Sequence, residues 1–308
     1  MIQFFATSQF FTFKMNQRLF LLLFLWGILA QILDAQTYSE YGTVLRFSLK
    51  NGLFPHPKRA EGHTYQNQKF PSSKHYQDSS VLVFIPKSYH FSPKTDIVVH
   101  FHGWYNHLDS VVAQFKLIEQ FAAAHPNALL VLPQGPKDAP DSFGGKLEDK
   151  DGFKKFISEV LDSVKAAKGR KILLPRNIIL SGHSGAYRVM SFILLRGGMS
   201  ENVKEVWLFD GLYGQLEKFG VWLQQKNARL VNFYTKEGGT FASSIDFATD
   251  VEAWHLKQWQ GEEKDLTNHI LVTNQIFSIF TPLEHNEVLS KTEMFRRLVL
   301  ASPFLNKL

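Results

Sequence analysis

Residues Asn177–Met190 read NIILSGHSGAYRVM. A strand-like apolar run ends at Gly182, and a helical pattern begins directly after Gly185. Small residues at this junction permit a sharp turn that lifts Ser184 above the strand end, where the free N–H groups of a helix N-terminus point at it. The same residues are also compatible with a serine that only caps the helix. The stretch therefore predicts an exposed nucleophile only if the rest of the chain supplies its partners.

Apolar strand-like runs alternate with amphipathic helical patterns along most of the chain. Such strands form mostly parallel sheets that helices cover on both faces, so the sequence predicts an α/β fold. Ligands bind beyond the carboxyl ends of the strands in these sheets, and residues directly after strands are the functional candidates. The predicted strands cover residues 80–86, 96–103, 128–135, 177–182, 203–211, 229–236 and 275–282, and the predicted helices cover 110–125, 151–169, 185–196, 217–227 and 291–302.

Residues 1–35 have the pattern of a secretory signal peptide. Lys14 and Arg18 precede the apolar run Leu19–Leu33, and the small residue Ala35 follows it. The run is shorter than the roughly 20 residues that a membrane-spanning helix requires. We expect cleavage after Ala35, export to the periplasm or the extracellular space, and no stable membrane anchor afterwards. Met15 is an alternative start of the chain.

Two segments follow the signal peptide. Residues 36–79 are predicted to form an N-terminal strand and a surface segment packed on the core, and residues 80–308 are predicted to form the main domain. The chain has a net charge of +6 and no cysteine. Disulfides and thiolate metal sites are therefore excluded, and the absence of a dense basic cluster gives no indication of nucleic-acid binding. The sequence does not predict an oligomeric state.

The chain resembles the α/β-hydrolases over residues 80–302, by its order of elements and by Gly182-His183-Ser184-Gly185. It departs from them at Ala186, where the family usually has glycine. The resemblance implies a serine esterase or lipase with the catalytic order serine, acid, histidine, and with no cofactor. The resemblance does not fix the substrate, and we expect a carboxylic ester, with an amide as the second candidate, in a small molecule or in the cell envelope.

Three histidines follow the sharp turn at Ser184, which we call the elbow, and are candidates for the general base. His285 lies after the last predicted strand and before the last helix, where the resemblance implies the base. His255 lies in a predicted short helix around Trp254–Trp259, and His269 opens a strand-like run. We therefore predict His285 as the base of Ser184.

The acid that orients this base has more than one candidate. Asp210 ends the apolar run EVWLFD, and a charge at the tip of such a run requires a partner. Glu237 follows the next strand, which is the commoner position among the proteins that the chain resembles, and Asp246 lies further along. We predict Asp210 as the acid, with Glu237 as the alternative.

The backbone N–H groups of Gly185 and Trp104 are predicted to bind the oxyanion. His102-Gly103-Trp104 resembles the His-Gly-X turn of the family, and Tyr105 is the neighbouring candidate donor. Two long segments, 133–152 and 238–265, are predicted as loop inserts over the strand ends. The predicted pocket residues are Tyr105, Tyr187 and Tyr213, and Trp104, Phe143 and Phe241 are further aromatic candidates.

Two other functions are compatible with the sequence. His100, His102 and His107 lie in HFHGWYNH, and a His-x-His pair on a strand can bind zinc, which would make a zinc-dependent hydrolase. Two features argue against zinc. The stretch contains no acidic residue that could add a ligand, and His100 lies inside an apolar strand, where a hydrogen-bonded core histidine is the commoner finding. The other alternative is a non-catalytic envelope-binding protein that keeps the hydrolase fold.

Overall fold

A central sheet organises the chain. The computed structural model describes residues 38–224 and 228–307, and within them this sheet has nine strands. The strands in chain order are β1 (Gly42–Ser48), β2 (His63–Tyr65), β3 (Gln68–Phe70), β4 (Ser80–Pro86), β5 (Lys94–Phe101), β6 (Ala128–Pro133), β7 (Leu174–His183), β8 (Val203–Phe209), β9 (Arg229–Tyr234), β10 (Gln258–Glu262) and β11 (Ile276–Phe280). The order across the sheet is β1-β4-β6-β5-β7-β8-β9-β11-β10, whereas β2 and β3 pair separately. The pairs β1–β4 and β4–β6 are antiparallel, and the others in the sheet are parallel.

Helices cover both faces of this sheet. They are α1 (Ser72–His75), α2 (Leu108–Phe115), α3 (Leu117–Ala123), α4 (Gly152–Lys168), α5 (Tyr187–Arg196), α6 (Leu216–Leu223), α7 (Phe241–Ala253), α8 (Asn268–Thr273) and α9 (Met294–Ala301). Successive residues of a strand point to opposite faces. In β5, Ile97 and Val99 join the core under α4 and α5, and Val98 joins the core under α2, α3 and α9. The predicted α/β fold with a mostly parallel sheet is confirmed.

The parallel strands bring their carboxyl ends to one edge of the sheet. β7 pairs with β5 on one side and with β8 on the other, so Ser184, directly after β7, lies near the middle of this edge. Asp210 directly follows β8 and therefore lies at the same edge of the sheet. The loop after β11 carries His285. The topology therefore places these three predicted residues at a common edge.

The segment before β4 shares its core with the main sheet. β1 extends the sheet beside β4, and Leu49, Leu53 and Phe54 are buried in the same cluster as the residues of α4. The predicted signal peptide, residues 1–35, lies outside the described residues. Among those described, no helix has the length and apolar character that crossing a bilayer would require.

The helix predicted over 110–125 is interrupted in the structure. Lys116 adopts a left-handed backbone with φ of 49° and separates α2 from α3. The break frees the carbonyl of Phe115, and Nε2 of Gln120 donates to it at 2.7 Å. The same amide donates to the carbonyl of Leu289. A long-range partner therefore stabilises a break that periodicity does not indicate.

The segment 238–265 is mostly regular structure, so its prediction as a loop insert is wrong beyond the first residues. It contains α7 and the edge strand β10, which pairs in parallel with β11. The predicted short helix around Trp254–Trp259 is absent from this described part of the chain, because Trp259 lies in β10. His269 begins α8 rather than a strand.

Candidate active site

Ser184 lies on a sharp turn between β7 and α5. Its backbone is left-handed, with φ of 56°, a conformation that costs a non-glycine residue on the order of 1 kcal/mol. The turn is closely packed: a Cβ on Gly103 would lie 2.7 Å from the Cβ of Ser184, and one on Gly182 would lie 2.7 Å from that of Ala186. Small residues are thus required on both sides of the elbow, and Ala186 fits where the family usually has glycine.

Asp210 and His285 form a hydrogen-bonded pair. Nδ1 of His285 lies 2.6 Å from Oδ2 of Asp210, and because a carboxylate accepts, this nitrogen carries the proton. The carboxylate is fully buried, whereas the imidazole is 29 % exposed. The unprotonated nitrogen, Nε2, is therefore the basic atom of His285, as a general base of this type requires.

Hydrogen bonds stabilise the buried charge of Asp210. Burial alone raises its pKa, but hydrogen bonds from His285, Thr240 and Thr235 hold the pKa below its ordinary value. The Thr235 hydroxyl donates to Oδ2 at 2.8 Å, and its backbone N–H donates to Oδ1 at 3.1 Å. The Thr240 hydroxyl also donates to Oδ1. The carboxylate thus remains ionised and faces the protonated nitrogen of His285.

The other candidate acids lie elsewhere. The Glu237 side chain is 81 % exposed, and its ion pair with Lys236 spans 4.0 Å. Asp246 is exposed on α7. Neither of these carboxylates has a hydrogen bond with His285, which is bound to Asp210. The alternative with Glu237 as the acid is therefore not supported, because a residue in a solvated turn beyond β9 does not reach the base.

His183 links the elbow to the loop of His285. Its Nε2 donates to the backbone carbonyl of His285 at 2.8 Å, and the two rings lie 4.5 Å apart. Burial is the main cause that lowers the pKa of His183 to about 4, so the ring is neutral at pH 7. The residue next to Ser184 therefore anchors the segment that carries the predicted base.

A cavity of about 300 Å³ opens beside Ser184. The Tyr213 hydroxyl, which lines this cavity, donates a hydrogen bond to the backbone carbonyl of Gly238. Burial raises the pKa of Tyr213 to about 12, so it is a neutral hydroxyl at pH 7. The residues lining the cavity are Trp104, Ser142, Ser184, Gly185, Tyr187 and Tyr213.

Two of the three predicted pocket tyrosines, Tyr187 and Tyr213, line this cavity, and Tyr105 does not. The Tyr105 backbone is left-handed, and its ring is exposed and packs edge-on against Phe70. Its N–H donates to the carbonyl of Ala139 at 3.1 Å and is therefore not a free oxyanion donor. Tyr105 is therefore not a lining residue of the cavity beside Ser184.

Gly185 and Trp104, the predicted oxyanion residues, are in contact. A Cβ on Gly185 would lie 2.6 Å from Cδ1 of Trp104, so only glycine admits the indole at this distance. Both residues line the cavity that Ser184 borders. The two further aromatic candidates lie away from it: Phe143 is buried against His56, and Phe241 packs on Tyr234.

The histidines of HFHGWYNH are held apart by separate hydrogen bonds. Nδ1 of His102 donates to the carbonyl of Gly103, and its Nε2 accepts from the backbone N–H of Gly135 at 2.9 Å. His100 is bound to Ser181, and His107 to Asp138. Both nitrogens of His102 are thus occupied within the protein, and the described residues contain no group of three ligands suited to a metal ion. The zinc alternative is not supported.

Sequence reasoning missed several residues that complete the site. Thr235 and Thr240 bind the carboxylate of Asp210, and Ser142 accepts a hydrogen bond from Nε1 of Trp104 at 2.8 Å. Their positions depend on how loops fold back over the strand ends. The sequence places segment 133–152, which contains Ser142, over the strand ends, but it does not distinguish Ser142 from the other polar residues of that segment.

Solved structures share this architecture. A ferulic acid esterase matches with a TM-score of 0.53 and 11 % identity, over 86 % of this chain and 99 % of the other. A mutant of the feruloyl esterase module from Clostridium thermocellum, complexed with sinapinate, matches with a TM-score of 0.50 and 11 % identity, over 84 % of this chain and 88 % of the other. No protein-family description and no curated protein matches the sequence. The chain has the α/β-hydrolase fold that its sequence predicts.

Proposed function

We propose that this protein is a serine hydrolase that cleaves carboxylic esters through an acyl-enzyme on Ser184. The observation that carries the proposal is the buried, hydrogen-bonded pair of Asp210 and His285, 2.6 Å apart, at the sheet edge where Ser184 occupies a left-handed elbow. The fold alone hosts many chemistries, so the argument depends on this site. The esterase names of the two similar structures agree with the proposal.

In the proposed reaction, Ser184 Oγ attacks the acyl carbon while its proton passes to Nε2 of His285. The carbonyl electron pair moves to the oxygen, which the N–H groups of Gly185 and Trp104 stabilise. When the intermediate collapses, His285 gives the proton to the departing alcohol. Water then attacks the acyl-enzyme by the same route and releases the acid and Ser184. Asp210 keeps the imidazole in the tautomer with its proton on Nδ1.

The substrate and the location of the protein belong to the same proposal. The cavity has tyrosine and tryptophan walls and contains no charged side chain among its lining residues, which favours a neutral acyl group of modest size. We expect an ester rather than an amide, from a small molecule or the cell envelope. The pattern of residues 1–35 supports export of the protein.

A fluorophosphonate probe tests the proposal directly. We expect the purified protein to be labelled on the peptide that contains Ser184, and Ser184→Ala to abolish both labelling and hydrolysis of p-nitrophenyl acetate. An unchanged unfolding temperature of Ser184→Ala would show that the variant loses activity because it lacks the nucleophile and not because it is unfolded. A folded protein that is not labelled, and that binds esters without turnover, would favour the non-catalytic alternative.

A further inference from the structure

Ser142 lies against the elbow, in the segment that returns over the sheet edge after β6. It lines the same cavity as Ser184 and Gly185. Its Oγ lies 2.7 Å from the position that a Cβ on Gly185 would occupy. A side-chain hydroxyl thus stands beside the glycine whose backbone N–H is a predicted oxyanion donor.

The hydrogen bond from Trp104 determines what this hydroxyl can do. Nε1 of Trp104 donates to Oγ of Ser142 at 2.8 Å, so the oxygen already accepts one hydrogen bond. A serine hydroxyl also carries one proton of its own to donate. The indole nitrogen has no acceptor capacity, so that proton must point away from Trp104. Because Ser142 borders the cavity, a ligand oxygen there can receive it.

Two Arg–carboxylate pairs fix the segment on either side of Ser142. Arg59 binds both carboxylate oxygens of Asp141, at 2.6 and 3.1 Å. Arg188 binds both carboxylate oxygens of Glu148, at 2.7 and 3.0 Å. The ring of Phe143 lies between the two guanidinium groups, 4.7 and 5.5 Å from them. Such bidentate pairs add geometric specificity, so the segment holds Ser142 in place before substrate binds.

We propose that the Ser142 hydroxyl is a third donor to the oxyanion, beside the backbone N–H groups of Gly185 and Trp104. This inference rests on the proposed function. As the Ser184 Oγ–carbon bond forms, the carbonyl electron pair localises on the oxygen, and a donor that is already oriented stabilises that charge without reorganisation. Removal of one oxyanion donor typically lowers kcat by roughly 10²–10³-fold.

The test compares Ser142→Ala with Ser142→Thr, which keeps a hydroxyl. With p-nitrophenyl acetate, we expect Ser142→Ala to lower kcat about 100-fold with little change in KM, and Ser142→Thr to restore most of the loss. Trp104→Phe, which removes the N–H that orients Ser142, is expected to fall between the wild type and Ser142→Ala. The rate of fluorophosphonate labelling should follow the same order, because phosphonylation places a similar charge on an oxygen in the same position.

The outcomes separate this inference from the proposed function. An inert wild-type protein, neither labelled at Ser184 nor active on esters, overturns both. A labelled and active wild type with an unchanged Ser142→Ala variant overturns only the role of Ser142. A loss confined to KM also overturns it, because the hydroxyl would then bind the ground state as strongly as the transition state. Thermal unfolding of each variant shows whether the fold is retained.

Discussion

Nε2 of His183 donates a hydrogen bond to the backbone carbonyl of His285, 2.8 Å away. The donor precedes Ser184 in the chain, and the acceptor belongs to the residue that we propose as its base. The two residues are far apart in sequence, so this bond fixes the loop after β11 against the elbow. Nδ1 of His183 is buried and has no hydrogen-bond partner among the residues that the structure describes, so the bond from Nε2 is the one hydrogen bond that the ring makes there.

The link between His183 and His285 predicts a positioning role for His183. In His183→Asn the amide is too short to reach the carbonyl, whereas in His183→Gln it extends towards the position of Nε2. We expect His183→Asn to lower kcat about tenfold, the loss of roughly one hydrogen bond, and His183→Gln to recover part of it. Steady-state kinetics on p-nitrophenyl acetate measures this. Equal losses in both variants would indicate a packing role instead.

Replacement of the carboxylate tests the choice of acid. Asp210→Asn removes the charge and the preference for the proton on Nδ1 of His285, so we expect kcat to fall by about 10⁴-fold, as in other triads of this type. Glu237→Gln is the matched control, because the Glu237 side chain is solvent-exposed. It should change kcat by less than about twofold. The reverse order of effects would make Glu237 the acid.

Gly238 is expected to be intolerant of a side chain. A Cβ at this position would overlap Oδ2 of Asp210 and crowd Oγ1 of Thr235. Gly238→Ala should therefore displace the carboxylate that holds His285 and lower kcat by at least about tenfold, if one hydrogen bond is weakened. Gly214→Ala is the matched control, since its Cβ would meet only Tyr187, at 3.8 Å. Full activity in Gly238→Ala would mean that the loop moves away without cost.

The parts of this structure that could be predicted depend on local pattern. β4 matches its predicted range of residues 80–86, and β7 includes the predicted strand that leads to Ser184, because buried strands are recognisable from continuous apolar runs. The contact between Asp210 and His285 could also be predicted from the sequence, because a charge at the tip of a buried strand needs a partner.

The parts that were missed depend on contacts between distant segments. β10 reads QWQGE, is only partly buried, and becomes a strand by pairing with β11, which follows it in sequence. Ser142 is one of several polar residues in a long segment, and only the folded chain places it against Gly185. Periodicity records which face of an element is buried, but it does not record which loop lies over which strand end.

Two buried histidines predict that the protein loses stability on mild acidification. Burial lowers the pKa of His100 to about 3 and that of His183 to about 4. The unfolded chain, with an ordinary histidine pKa of about 6.5, therefore binds more protons than the folded chain as the pH falls through 6.5. At pH 5 each histidine lowers the free energy of unfolding by about 2 kcal/mol relative to pH 7. Asp210 stays ionised in this window, because its pKa lies below its ordinary value.

Urea denaturation at pH 7 and pH 5 measures this loss, and His100→Asn identifies its origin. The Asn amide can keep the contact that Nδ1 of His100 makes with Ser181 but does not titrate. We expect the decrease in unfolding free energy between the two pH values to be about 2 kcal/mol smaller in His100→Asn than in the wild type. Parallel pH profiles for the wild type and His100→Asn would show that His100 is protonated to the same extent in the folded and unfolded states, against the effect expected of its burial.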